Sequence, residues 1–170
     1  MRVAFEIYDG NVEDLSSGYQ EVSCHIIFNV NMGDNFHRKS LMVAGGHKTT
    51  TPSSLTYSSV VSWDSVRIYL TISALNYLNF LACDIQNAYP TTKFREKICT
   101  VEGPDSDTEQ IKSILVVRAL YVMKSSGAAF RFLLAEHLHD LCYRPSIADP
   151  DVWMRPAVKP GGSIHYEYII

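Results

Sequence analysis

Val22, Cys24, Ile26, Phe28 and Val30 occupy every second position of one short stretch. A period of two places all five on one face of an extended strand, because successive strand residues point to opposite sides. Gly33-Asp34-Asn35 then reads as a chain reversal and Phe36 to Ala44 as the return arm. The pattern predicts a β-hairpin, half-buried on one face, whose second arm carries Arg38 and Lys39.

Two later segments carry helical signals. Ser62 is placed to cap a helix with Asp64 in its first turn, and Val66, Ile68, Leu70, Ile72, Leu75 and Leu78 supply an apolar surface for burial. A second helix is predicted over Ala128 to Leu141, with Leu133, Leu134, Leu138 and Leu141 on one side and Pro145 ending it. Short apolar runs predict strands at Leu78 to Cys83, Lys97 to Val101 and Ile114 to Val117, and Val152 to Arg155 pairs with Ser163 to Ile170 through the turn Lys159-Pro160-Gly161-Gly162. Thr49 to Ser59 and the Gly-Pro-Asp-Ser-Asp stretch are loops, with a turn of helix near Thr108 to Lys112. Met1 to Gly18 lacks clear periodicity and reads as a loosely held lead-in. The sum is an α/β chain of the α+β kind, mostly antiparallel sheet with packed helices.

At 170 residues and 46% hydrophobic, the chain is long enough for one sizeable core. Its four cysteines (Cys24, Cys83, Cys99, Cys142) form no C-x-x-C pair, and three fall in apolar periodic segments, so reduced core thiols and an intracellular compartment are expected. No apolar run approaches the ~20 residues that span a bilayer, and no membrane partner is expected. The net charge of -3 argues against a surface coated for nucleic acid. Charge is uneven, however: His37-Arg38-Lys39 and His47-Lys48 bracket Ser40 to Gly46, and acids gather between Glu102 and Glu109.

Asp84 is the carboxylate with the sharpest functional reading. It follows the run Leu78 to Cys83, so a strand would carry it to a sheet edge that opens onto a cleft, a place for a metal ligand; Tyr89 follows five residues later. Taken alone, Asp84 also fits a strand-end turn, Tyr89 a core aromatic and Lys39 an exposed hairpin lysine. His137, His139 and Cys142 make no zinc site, since positions 137 and 139 do not share a helix face. Asp149-Pro150-Asp151 reads as a turn before a strand rather than an acid-base pair, and Ala44-Gly45-Gly46-His47 as a turn rather than a phosphate loop.

Lys39 in a hairpin arm, Asp84-Ile85-Gln86-Asn87-Ala88-Tyr89 after one helix, and Ala119-Leu120-Tyr121-Val122-Met123-Lys124 before another follow one another in order. With Tyr19-Gln20-Glu21-Val22, Val43-Ala44-Gly45-Gly46-His47, Asp64-Ser65-Val66-Arg67-Ile68 and Ala148-Asp149-Pro150-Asp151-Val152-Trp153, this series resembles the reverse transcriptase of copia-type retrotransposons. The resemblance runs from about Gly18 to the last residue. It implies a lead-in over 1–18, a fingers-like part over about 19–62 and a partial palm over about 63–170. It also implies RNA-directed DNA polymerisation, in which two magnesium ions clamp an in-line phosphoryl transfer.

By position, Asp84 resembles the first metal-binding, catalytic aspartate, and Ile85 the residue whose carbonyl completes that site. Tyr89 resembles the aromatic that excludes a ribose 2′-hydroxyl, and Lys39 the lysine that meets the triphosphate. Tyr121 and Lys124 fall where the incoming nucleotide and template are flanked, and Arg38, Lys48 and Arg67 are candidates for nucleic-acid contact. The implied partners are an RNA or DNA template-primer, a deoxynucleoside triphosphate and the rest of a retrotransposon polyprotein, in the cytoplasm, a virus-like particle or the nucleus. Three departures stand out: Leu41 where the family has arginine, Pro90 where leucine is common, and Val122 where it has glycine. The first and third are expected to weaken nucleotide binding. The family's Tyr-Val-Asp-Asp turn follows a strand like Tyr166 to Ile170 and is not in this sequence, so the chain alone is expected not to extend a primer. A non-catalytic nucleic-acid-binding remnant is the alternative; an unrelated hydrolase lacks a second catalytic group.

Overall fold

The computed structural model describes residues 4–8, 15, 18–30, 38–52, 56–100 and 113–170. In chain order the elements are β1 (Phe5–Tyr8), β2 (Gln20–Glu21), β3 (Cys24–Val30), β4 (Arg38–Ala44), α1 (Trp63–Leu75), β5 (Ile98–Thr100), β6 (Ser113–Val116), α2 (Ser126–Asp140), β7 (Arg144–Pro145), β8 (Trp153–Val158) and β9 (Ile164–Ile169). Among the described residues, short sheets with antiparallel pairing predominating, and two α-helices, make this an α+β chain. It divides into two compact units, residues 1–57 with 87–130 and residues 58–86 with 131–170. Among the described residues no helix is long and apolar enough to cross a membrane.

In the first unit a four-stranded sheet has the order β1-β6-β5-β2, with β2 parallel to β5 and the other pairs antiparallel. β5 and β6 arise where the apolar runs predict them. β1 does not follow the expectation of a loose lead-in: Phe5 pairs with Val116 and Ala4 is buried in the core. Four residues are too few to display a period, and the partner strand lies more than a hundred positions away. The predicted hairpin forms as β3 and β4, from Cys24 opposite Ala44 to Val30 opposite Arg38. Its expected turn at Gly33-Asp34-Asn35 lies outside the described residues.

Burial in the hairpin is confined to its base. Val22, Cys24 and Ala44 join Ala4, Ile98, Val116, Leu120 and Met123 in one core, whereas Phe28, on the same alternating face as Cys24, is 80% exposed. β3 and β4 form a sheet of only two strands, so period-two spacing sets a face without guaranteeing a cover for it. Of the cysteines, Cys24 and Cys99 are buried thiols as expected; Cys83 and Cys142 are exposed.

In the second unit Ser62 caps α1 as predicted, its Oγ accepting the Ser65 N–H at 3.0 Å. The expected buried surface of α1 is not found: the helix buries no residue, and Leu75 is 74% exposed. Positions 66, 68, 70 and 72 recur by two, and residues two apart on a helix face nearly opposite ways, so no single stripe results. The strand predicted over Leu78 to Cys83 is also absent. Residues 78–85 carry no regular structure, and Phe80 and Leu81 are 70% and 88% exposed. An apolar run becomes a strand only where another strand accepts its backbone, and none does so here.

α2 begins two residues before the prediction and stops one before it. Its end is made by Cys142 at φ 66°, with Tyr143 N–H bonded to the Leu138 carbonyl and Cys142 N–H to that of His139. This left-handed cap, not Pro145, ends the helix; Pro145 pairs with Trp153 in β7. β8 and β9 form the predicted hairpin, with Gly162 at φ +83° in its turn. Arg155 on β8 donates to Glu167 on β9 at 2.7 Å, lies over the Tyr143 ring at 4.7 Å and donates to the Leu141 carbonyl at 3.1 Å.

The Glu167 carboxyl is held below its ordinary range, first by the Arg155 hydrogen bond and then by that from the Tyr143 hydroxyl, against the opposing effect of partial burial. Because its folded pKa lies below the unfolded one, this stabilisation is complete above the usual glutamate range and fades as pH falls through the folded value. Glu167→Gln is therefore expected to lower the thermal midpoint at neutral pH and to melt together with the wild type in acid. Thermal melts followed by circular dichroism across that range check this, and a gap that ignores pH contradicts it.

Candidate functional site

The first unit brings three of the expected nucleotide-facing residues to the base of the hairpin. Val43 forms a parallel bridge with Tyr121, and the Ala44 N–H donates to the Tyr121 carbonyl at 3.3 Å. The Tyr121 ring meets the Tyr89 ring with centroids 4.9 Å apart, and Tyr89 meets Phe130 edge-on at 6.1 Å. Such tilted and edge contacts are favoured by the ring quadrupoles. Tyr89 opens a 3-10 turn, Tyr89–Thr91, whose second residue is Pro90. Proline fits the start of a helical turn because its missing N–H has no partner there in any case.

Lys124 comes to the same place from the other side. Its amine donates to the Thr49 carbonyl, while the Thr49 hydroxyl donates to the Gly46 carbonyl at 2.8 Å. At Gly46 the chain passes so close to the next segment that an added Cβ would lie 2.9 Å from the Met123 Cα. Glycine is required there for space.

Leu120 to Met123 is a tight turn closed by the Met123 N–H on the Leu120 carbonyl at 3.4 Å, with Val122 at φ 74°. A positive φ at the third residue of a turn is the glycine position of a type II turn, and a β-branched side chain is strained there. This is the position at which the resemblance expects glycine. The structure thus gives that departure a physical cost.

The other candidates are spread out. Arg38 lies at the far end of the hairpin from its buried base, exposed, and Lys39 pairs with Asn29 through the backbone. Lys48 is exposed in a 3-10 turn, Gly46–Lys48. Asp84, Ile85 and Arg67 belong to the second unit. Arg67 pairs with Asp64 at 3.2 Å with both side chains mostly in solvent, an ion pair of small energetic weight. Asp84 is exposed in the irregular segment, not at a strand end, and makes no hydrogen bond or ion pair with the described residues.

Magnesium is the cofactor that the resemblance implies, and its chemistry demands several hard oxygen donors. Among the described residues no three His, Cys, Asp or Glu side chains gather. One carboxylate, Asp84, and the Ile85 carbonyl are fewer donors than a two-ion clamp requires, and the described residues do not make that centre by themselves.

The sequence reading missed a basic groove on the first unit. Its cleft of about 410 Å³ is lined by Tyr19, Lys93, Arg95, Lys97 and Arg118, with Glu6 and Glu96. Its signal in the sequence is the alternation of Lys93-Phe94-Arg95-Glu96-Lys97, just before the strand predicted from Lys97. No protein-family model, curated protein or solved structure matches the chain.

Val122→Gly is expected to stabilise the chain by about 1 kcal/mol, relief of the left-handed strain outweighing the extra freedom of an unfolded glycine. Gly46→Ala is expected to destabilise it by about 2 kcal/mol through the clash with residue 123. Urea unfolding of both variants measures the two signs, and a destabilised Val122→Gly overturns the account of the turn.

Proposed function

We propose that the chain is a segment of a copia-type reverse transcriptase, an enzyme family that carries out RNA-directed DNA polymerisation. The observation that carries this reading is the ordered series of motifs around Lys39, Asp84, Tyr89 and Tyr121. Two further facts support it. Tyr89 and Tyr121, distant in sequence and both assigned to nucleotide contact by the resemblance, have their rings 4.9 Å apart. The residue at which the family carries glycine has a backbone that favours glycine.

In this reading the paired rings form a stiff aromatic wall beside the sugar of an incoming nucleotide, and Tyr89 leaves no room for a 2′-hydroxyl. Lys39, on the hairpin arm, meets the triphosphate and balances charge that develops on the leaving group. Asp84 and the Ile85 carbonyl supply part of the magnesium donor set. Tyr121 and Lys124 flank the incoming nucleotide and template, and Arg38, Lys48 and Arg67 contact the template-primer backbone. A second reading, a non-catalytic nucleic-acid-binding remnant of a transposable element, is favoured by the basic groove, whose cations need no catalytic centre.

Equilibrium binding of deoxy- and ribonucleoside triphosphates to the chain, with magnesium and a template-primer duplex present, tests the first reading. The expected result is tighter binding of the deoxy form, with Tyr89→Ala narrowing the difference by about fivefold, roughly 1 kcal/mol. Equal binding of both sugars by the wild type overturns it.

A further inference from the structure

Residues 93–97 alternate between solvent and protein. Lys93, Arg95 and Lys97 are exposed, while Phe94 packs against the core and Glu96 is half-buried, its carboxylate accepting from the Ser125 hydroxyl. The segment leads into β5 at Ile98, and its burial alternates although only Lys93 is paired as a bridge. Backbone bonds fix the segment at both ends: Lys93 bridges to Arg118, Phe94 N–H donates to the Val117 carbonyl at 3.0 Å, and the Lys97 carbonyl accepts the Gln20 N–H at 2.9 Å.

Arg118 adds a fourth cation from the neighbouring segment, held by its bond to the Thr91 carbonyl at 3.0 Å. At the other end the Lys97 ammonium lies 5.7 Å from the centre of the Tyr19 ring. The cleft of about 410 Å³ shares Arg95, Glu96 and Lys97 with a second of about 350 Å³ that continues to Gln20, Thr50 and Pro52. The two clefts adjoin at these three residues and are taken together as the groove. Its acids are Glu6 and Glu96, so four cations stand against two acids along it.

We infer that this groove binds single-stranded nucleic acid, its phosphates lying along Lys93, Arg95, Lys97 and Arg118 and a base stacking at Tyr19. A row of exposed cations beside an aromatic ring suits the phosphates and bases of a single strand. A lipid surface would need an exposed flat or convex face, and this surface is concave. The inference rests on the second reading above and not on the polymerase reading, since none of the residues assigned to nucleotide or metal lines the groove.

The test is fluorescence anisotropy of the full chain with labelled oligo-dT and oligo-U, titrated over a series of salt concentrations. Wild type is expected to bind at low salt, and Arg95→Gln with Lys97→Gln to weaken binding by on the order of tenfold and flatten the salt slope by about 0.7 for each cation removed. Arg144→Gln with Lys159→Gln, which changes net charge equally in the second unit, is expected to leave slope and affinity unchanged. Comparable tightness for the two oligonucleotides marks recognition of the backbone; a preference for oligo-U marks RNA as the ligand, and either outcome supports the site. If the wild type binds and the groove variant, matching it in circular dichroism, binds equally well, the groove assignment falls while the nucleic-acid-binding reading stands. If the wild type binds neither oligonucleotide at low salt, or binds only anionic phospholipid vesicles, both fall.

Discussion

The first unit depends on the approach of one backbone to another at Gly46. Because position 46 has no side chain, the end of β4 lies directly against residues 122 and 123, and the hairpin base and the turn from Leu120 to Met123 share one core. That turn is held from three sides. The Ala44 N–H binds the Tyr121 carbonyl, the buried Ser126 hydroxyl donates to the Leu120 carbonyl at 2.7 Å, and Leu120 and Met123 are themselves buried. A turn so fixed has no freedom to move Val122 out of the left-handed region. The strain at Val122 and the placement of Tyr121 against Tyr89 are thus two results of one packing constraint.

The second unit is organised differently, with polar bonds at its joints. Asp149 accepts from the Ser65 hydroxyl at 2.6 Å and from the N–H groups of Ser62 and Asp151, which ties the start of α1 to the turn before β8. Those bonds, the Ser65 hydroxyl first, hold the Asp149 carboxyl below its ordinary range. Asp151 takes the Arg131 guanidinium at 2.7 Å, and Arg155 joins β8 to β9 and to the end of α2. Carboxylates and guanidinium groups fix direction where the apolar residues of α1 cannot, since those are distributed around the helix. Charge-assisted bonds of this kind are strongly directional, and each needs only one well-placed partner.

What the sequence made legible follows the range of each signal. The cap at Ser62 and the β8–β9 turn are set by residues within a few positions of one another, the β3–β4 pairing by arms no more than 20 positions apart, and all three form as read. The turn at Asp149 does so too. β1 was invisible because its partner lies across most of the chain, and Leu78 to Cys83 was misread because apolar content does not disclose whether a strand waits to pair. Helix ends were misplaced for a related reason. Tyr77 and Cys142, at φ 54° and 66°, take the left-handed cap position usually announced by glycine. Of the candidate site, the meeting of Tyr89 with Tyr121 was implied only by the resemblance. The cleft at Asp84 rested on a strand that does not form.

Net charge is a different kind of signal. A total of -3 weighs against nucleic acid only if charge is spread evenly, and a total carries no geometry. In a segment with period two, three cations at alternate positions all reach the same face, whatever acids lie elsewhere. Here the intervening positions are Phe94, packed against the core, and Glu96, half-buried and bonded to the Ser125 hydroxyl, whose charge offsets the exposed row in part. Glu6 on β1 is the other acid along it, so two carboxylates stand against four cations. The field that an approaching phosphate meets is set by this local arrangement within about a Debye length, and over that distance cations outnumber acids four to two although the chain as a whole is acidic.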